Sequence, residues 1–357
     1  MSGAVEWLET LSPWPKDGFG LERMHALLTE LGDPQLEFES LHVVGTNGKS
    51  TTTRTIEETL LREGVASAAY TSPHVSGWAE RIRVGGREAD VERAIERVRP
   101  QAVSLEATQF ETLTAAALLA FADAGVEAAA VEAGLGGRHD ATNVLRSPVQ
   151  VLTNVALEHV DVLGSTREAI AEEKLAVVRP GATVVLGEPE WERLASRNGA
   201  ARVVVERGGN EALGGAAVAA FLSRPVEPVH VQLPGRLDRH GDEIWDGAHT
   251  PEAVRHIAAR LPAIGSIVVS LLADKDVAGV LRELAGIAPI LVATRSSNPR
   301  ALPAGKLAEC ARPFFARVEV ADSPETALVL AHRLGKPVLV TGSLYLLADL
   351  WPTAVRA

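Results

Sequence analysis

Apolar residues recur at helical spacing over 5–11 and again over 21–31, where Leu21, Met24, Leu27, Leu28 and Leu31 form one stripe and Gly32 stops it. At 41–44 the pattern changes to a continuous apolar run, the mark of a buried strand, and a helix is expected over 54–64. Further strands are expected at 65–70, 126–131, 149–152, 182–186 and 202–205, with helices over 90–99, 112–124, 166–178 and 191–198. Glu80-Arg81-Ile82-Arg83-Val84 alternates, Gly85-Gly86 turns and 87–89 returns, so a small hairpin is expected there. The stretch 208–221 is small and apolar, a helix or a loose linker, and 225–234 reads as extended. Strands alternating with helices predict an α/β protein whose first part is a sheet built around a single loop after residue 44.

A second α/β pattern follows Pro234-Gly235-Arg236, with strands at 243–245, 267–272, 290–292, 316–320 and 337–340 and helices at 251–259, 277–284 and 324–334. Composition changes near Pro225, so two domains are expected, 1–224 and 225–357. The strand ends of the second carry Asp246-Gly247-Ala248-His249, Asp274-Lys275-Asp276, Thr294-Arg295 and Thr341-Gly342-Ser343. Polar groups gathered at strand ends suggest a domain that closes over a cleft shared with the first.

Composition narrows the class. The length of 357 residues suits two domains, and 46% hydrophobic residues suffice for packed cores. Acidic residues outnumber basic ones 46 to 35, for a net charge of -11, which argues against a nucleic-acid binder with a basic face. The single cysteine, Cys310, allows neither an intrachain disulfide nor a cysteine metal site and fits a reducing cytoplasm. The first eleven residues hold two glutamates and no basic residue, unlike a secretory leader. The longest apolar run, 113–122, is half of a membrane span, so no membrane role is expected.

The candidate chemistry centres on Val44-Gly45-Thr46-Asn47-Gly48-Lys49-Ser50-Thr51. Two glycines leave room for a phosphate to approach the backbone, and a helix N-terminus offers it unpaired N–H groups. Lys49 is suited to the β- and γ-phosphates and a hydroxyl to Mg²⁺. A full nucleotide loop has glycine at position 43, where this chain has Val43, so the motif is a shortened one. Thr71-Ser72-Pro73-His74 follows a strand end, where ligands of open α/β sheets bind. Glu132 ends another strand beside the glycine-rich run 133–143, a placement that suits Mg²⁺ or a plain surface carboxylate. Thr108 reads as a helix cap with Glu111, Gly18 to Glu22 as a helix start or a pocket wall, and Lys174 as a solvated cation.

Taken together, these blocks resemble the folylpolyglutamate synthase / dihydrofolate synthase family, relatives of the Mur ligases. The resemblance rests on His42-Val43-Val44-Gly45-Thr46-Asn47-Gly48-Lys49, Tyr70-Thr71-Ser72-Pro73-His74, Phe110-Glu111-Thr112-Leu113-Thr114, the run from Glu132 to Asn143, Glu158-His159, Glu173-Lys174, Pro234-Gly235-Arg236, Asp246-Gly247-Ala248-His249 and Thr341-Gly342-Ser343. It implies a nucleotide-binding Mur-ligase-like central domain followed by a smaller Rossmann-like C-terminal domain. It further implies an ATP- and Mg²⁺-dependent ligase that joins L-glutamate to dihydropteroate or a reduced folate through an acyl phosphate, working as a cytoplasmic monomer. Carried onto this sequence, Asn47, Gly48, Lys49, Ser50, Thr51, Asn210, Arg236 and Asp246 would bind ATP. Ser72, Glu132 and His159 would hold the metal. Lys49, Lys174 and His249 would serve catalysis, Lys174 as a carbamate, and Gly20, Leu21, Thr108 and Phe110 would line the acceptor pocket.

Three departures stand out. Ser50 follows the loop lysine directly, as in the Mur branch, where the folate branch usually inserts glycine. Thr250 replaces an asparagine after His249, and the chain is short, mostly between Trp191 and Pro234. A ligase acting on a Mur-like or other γ-glutamyl acceptor is the alternative within the superfamily. A nucleotide-binding regulator without catalysis is the alternative outside it, although it would be expected to lack Ser72, Glu132, His159 and Lys174.

Overall fold

The computed structural model describes residues 3–15 and 18–354. The chain divides into two compact units, one formed by the segment up to Pro73 together with Trp78–Val231, the other by His74–Gly77 and the chain from Gln232 onward.

The first unit holds strands β1 (Glu39–Val44), β2 (Ser67–Tyr70), β3 (Ile82–Val84), β4 (Arg87–Glu88), β5 (Ala128–Glu132), β6 (Val149–Leu152), β7 (Thr183–Leu186) and β8 (Arg202–Val205). They form one sheet in the order β4-β3-β2-β5-β1-β6-β7-β8. All pairings are parallel except the two made by β3. β1 lies between β5 and β6, with Leu41 opposite Ala130 on one side and Val149 on the other. Its side chains alternate between two apolar layers. Leu41 and Val43 pack with Ile56, Leu60 and Leu213, whereas Val44 packs with Leu152, Ile170 and Trp191.

Most elements follow the hydrophobic pattern, and the differences have local causes. The helix after the glycine loop is Lys49–Arg62 and starts five residues before its expected position, because Gly48 in the left-handed region turns the chain straight into it. The helix Val91–Ser104 runs through Pro100 to end past the expected 99. The stretch 208–221 becomes the helix Asn210–Leu222, whereas the expected extended segment 225–234 contains no strand.

The second unit carries β9 (Asp238–His240), β10 (Glu243–Trp245), β11 (Ser266–Val269), β12 (Ile290–Ala293), β13 (Arg317–Val320) and β14 (Val338–Thr341), in the order β13-β12-β11-β14-β10-β9. Only β9 is antiparallel. Strand β9 and the helices Val160–Leu163, Ala304–Ala311 and Leu344–Ala354 go beyond the elements expected from sequence. Among the described residues, no helix is long and apolar enough to cross a membrane.

Candidate active site

The loop after β1 is shaped by two glycines at positive φ, Gly45 at 147° and Gly48 at 82°. A β-carbon would collide with Thr153 at the first and with Asn210 at the second, so glycine is required twice over. The end of β6 holds the loop in place. Asn154 accepts the Asn47 N–H at 3.0 Å and donates to the Asn47 carbonyl at 3.1 Å, and the Thr153 hydroxyl donates to the same carbonyl at 2.7 Å. The Thr46 N–H donates to the Asn154 carbonyl at 2.9 Å. The helix beyond begins at Lys49, and its Thr52 N–H reaches Gly48 O, so the N–H groups of Lys49, Ser50 and Thr51 precede the first intrahelical bond. Val43 departs from the longer motif without consequence for this geometry, because it lies buried within β1 before the loop starts.

Glu132 closes β5, the neighbour of β1, and is only 1% exposed. Its Oε1 accepts the Ser50 hydroxyl and its Oε2 the Ser72 N–H, both at 3.1 Å. Ser50, Ser72 and Glu132 therefore meet at the mouth of the loop. Carboxylate and hydroxyl oxygens are donors of the kind Mg²⁺ takes, and phosphate oxygens and water commonly fill its remaining positions. His159 has left-handed backbone at φ 50°, and its Nε2 lies 3.4 Å from Glu158 Oε1. Among the described residues, no three His, Cys, Asp or Glu side chains gather into a ready-made ligand set.

Lys174 overturns its unaided reading as a solvated cation. It ends the helix Arg167–Lys174 on the inward stripe with Ile170 and Ala171, a spacing of three and four residues. It is 3% exposed, and its Nζ donates to the Gly45 carbonyl at 2.8 Å. Burial, reinforced by the nearby Lys49 charge, lowers its pKa to about 7. Lys49 itself donates to the Thr46 carbonyl at 3.3 Å, so two lysines touch one loop.

A second group of candidates lies on two helices joined by an ion pair. Thr108 caps the helix Gln109–Asp123, accepting the Glu111 N–H at 3.2 Å while Glu111 accepts the Thr108 N–H at 2.8 Å. Glu111 also pairs with Arg23 at 2.9 Å, one turn beyond Gly20 and Leu21, the latter being the N-terminal cap position of Glu22–Glu30. Phe110 stacks at a tilt on Tyr70, ring centroids 6.0 Å apart, and lies so close to Gly134 that a β-carbon there would sit 2.5 Å from the ring. Sequence reasoning missed Arg23, Tyr70 and Asn154. Asn154 had a usable mark in its position just past a strand that neighbours β1.

Asp246, Arg236 and His249 belong to the second unit. Asp246 follows β10, is buried, and accepts the Leu237 N–H at 2.9 Å and the Ala248 N–H at 2.8 Å. Burial raises its pKa, and the Arg236 charge and those backbone bonds oppose the shift. Arg236 donates to the Gly235 carbonyl at 3.1 Å, and His249 Nδ1 is 2.8 Å from the Gly247 carbonyl. Thr250, at the unusual position, caps Pro251–Ala258 by accepting the Ala253 N–H at 3.2 Å, as asparagine also can. Asn210 stands apart from these three: it opens the helix Asn210–Leu222 of the first unit, and its carbonyl accepts the Thr52 hydroxyl at 3.3 Å.

A glycine-bounded loop follows β1 inside a largely parallel sheet, with a buried carboxylate ending the neighbouring strand, and residues 43–205 of this chain match the Mur ligase middle domain. The dihydrofolate synthase/folylpolyglutamate synthase of Escherichia coli (strain K12) is 30% identical over 397 aligned positions, covering 96% of this chain and 93% of that one. The chain belongs to the folylpolyglutamate synthase/dihydrofolate synthase family. Among solved structures, E. coli FolC in complex with DHPP and ADP superimposes with a TM-score of 0.87 at 28% identity, covering 100% of this chain and 99% of that one. A bifunctional folylpolyglutamate synthase/dihydrofolate synthase with Mn, AMPPNP and L-glutamate bound gives 0.86 at 28% identity, with the same coverage.

Proposed function

We infer that the chain is an ATP-dependent ligase that joins L-glutamate to the carboxylate of dihydropteroate or a reduced folate. The observation that carries this reading is the convergence of Lys49, Ser50 and Glu132 on one loop, in a chain whose E. coli relative is a dihydrofolate synthase/folylpolyglutamate synthase along nearly its whole length. A carboxylate is a poor electrophile. Its oxygen attacks the γ-phosphorus of ATP, the bond to the β-phosphate oxygen breaks, and ADP leaves an acyl phosphate. The glutamate amine then attacks the acyl carbon, gives up a proton and expels phosphate, leaving an amide. Lys49 and the N–H groups of the first helical turn stabilise charge on the moving phosphoryl group. Ser50, Ser72 and Glu132, with His159, would hold the divalent ion, which supplies Lewis-acid polarisation of phosphoryl oxygens.

Lys174 is the residue we assign to carbamylation. A neutral amine is required, and its burial at the Gly45 carbonyl lowers its pKa to about 7, which supports that chemistry. Gly20, Leu21, Thr108 and Phe110 form the acceptor wall in this reading. In the same reading Asn210, Arg236 and Asp246 would contribute nucleotide contacts, and His249 would serve catalysis. Cytoplasmic location and a monomeric state complete the proposal. The test is ADP release with glutamate and, separately, dihydropteroate, tetrahydrofolate and a UDP-muramyl acceptor. Turnover with a pteridine acceptor supports the assignment, and turnover with the muramyl acceptor alone would refute it in favour of the Mur branch.

A further inference from the structure

His42 lies on the central strand β1, 1% exposed, three residues ahead of the phosphate loop. Its Nε2 is 2.8 Å from the Thr142 hydroxyl. That hydroxyl donates to Asp140 Oδ1 at 2.5 Å, and the same oxygen receives the Thr142 N–H at 3.0 Å. The other oxygen of Asp140 receives the Leu135 N–H at 2.7 Å. A hydroxyl has one proton. Burial raises the Asp140 pKa, and the bonds from the Thr142 hydroxyl and the Leu135 and Thr142 N–H groups oppose that shift. With Asp140 ionised, the proton is committed to the carboxylate, the hydroxyl lone pairs face the imidazole, and Nε2 carries the hydrogen. Burial, with the Arg179 charge adding to it, lowers the His42 pKa to about 3, which keeps the ring neutral and limits it to one N–H.

The chain of bonds ends on a turn that matters for the site. Asp140 ties Leu135 to Thr142 and so closes the loop that begins directly after Glu132. Gly134, at the start of the loop, carries the Phe110 ring on its face, and Gly137 lies against the carbonyls of Glu173 and Lys174 with no space for a β-carbon. The loop therefore sets where Phe110 can lie, while its own position is set from behind, by β1.

We propose that His42 is a positioning residue for acceptor binding, which as the Nε2–H tautomer anchors Thr142 and Asp140 and thereby fixes the Gly134–Leu135 turn on which Phe110 rests. This rests on the reading of Phe110 as part of the acceptor wall. Two variants isolate the hydroxyl link, Thr142→Val, which keeps the shape and removes the bond, and Thr142→Ser, which restores it. Thr142→Val is expected to raise the KM for the pteridine acceptor at least tenfold, with the KM for ATP within twofold, and to speed amide exchange at Leu135. Thr142→Ser is expected to return both values toward wild type. Among the histidines, His42→Gln, whose amide nitrogen can stand near the Nε2 position, is expected to retain more acceptor affinity than His42→Leu. Nitrogen-15 spectra of the wild-type imidazole, assigned against His42→Gln, are expected to show a neutral ring protonated at Nε2. An Nδ1–H or charged ring, or unchanged Leu135 exchange in Thr142→Val, would overturn the positioning role. A wild-type protein that bound no pteridine acceptor would instead defeat the functional reading, and the Leu135 exchange would still decide the positioning.

Discussion

Lys49 and Lys174 reach the same loop from opposite origins, one from the loop's own helix and one from the end of a helix 125 residues later in the chain. For Lys49 the expected consequence of alanine is a kcat lowered about 10²–10³-fold, the usual loss when one preorganised charge is removed from a transferring group, with an unaltered near-ultraviolet spectrum. Near-normal ADP release by the folded variant would dismiss the phosphate-loop role. For Lys174 the expected behaviour depends on proton count. The amine is about half neutral near pH 7, and its neutral fraction grows as the pH rises through that value. In the proposed carbamylation the neutral nitrogen would add to carbon dioxide, form an N–C bond and lose a proton. Protein depleted of carbon dioxide is therefore expected to regain activity with bicarbonate more fully at pH 8 than at pH 6. Lys174→Ala should be inactive and partly restored by acetate. Equal bicarbonate response at both pH values, or an active alanine variant, would remove the carbamate from the mechanism. At Glu132 the two bonds from Ser50 and Ser72 predict that glutamine, which keeps an acceptor oxygen but loses the charge, raises the Mg²⁺ concentration needed for half-maximal rate by tenfold or more. An unchanged Mg²⁺ titration would count against a metal role for this carboxylate.

Among the elements, strands and helices with a strong period could be read from sequence, because burial imposes that period. β1, β6 and β8 fall where the apolar runs stand, and the Thr108–Glu111 cap was visible as a spacing of three. The early start of the helix at Lys49 was hidden, since its first turn is lysine and hydroxyls, a polar run that hydrophobic periodicity passes over. It becomes helical because Gly48 supplies the turn, with Asn47 held by Asn154 before it and the Thr52 hydroxyl donating to the Asn210 carbonyl after it. The burial of Lys174 was hidden for a different reason. Its helix shows two glutamates before the lysine, and nothing local distinguishes a solvated acidic face from one whose last residue turns inward beside Ile170 and Ala171. Contacts distant in sequence, such as Arg23 with Glu111 or His42 with Thr142, leave no periodic trace either. One element boundary invites a test. Gly137 would place a β-carbon 2.5 Å from the Lys174 carbonyl oxygen, which is backbone and cannot swing aside. Gly137→Ala is expected to cost about 1–3 kcal/mol in urea unfolding, in line with overpacking of a filled site. A midpoint equal to wild type would show that the loop and the helix can part without penalty.

Taken as a whole molecule, the chain enters its second unit twice, first through the four residues His74–Gly77 and finally from Gln232 onward. The short visit contributes core. Val75 is buried with Trp245, Leu344 and Leu347, and its Cγ2 would lie 3.3 Å from a β-carbon at Gly235. The unit beginning at Gln232 is therefore incomplete as a contiguous segment, although its sheet of six strands is continuous in sequence. Removing two methyl groups from a buried valine commonly costs about 1–3 kcal/mol through lost burial and an imperfectly closed space. Val75→Ala in the full chain is thus expected to accelerate amide exchange in peptides covering β10, β14 and the start of Leu344–Ala354, while peptides from β1 and Lys49–Arg62 keep their protection. A polypeptide spanning 232–357 alone lacks Val75 altogether, and its β10 and β14 amides are expected to exchange faster than in the full chain. Slowed or unchanged exchange in both cases would mean that the Val75 side chain adds nothing to that core, and that the second unit is specified by its contiguous residues alone.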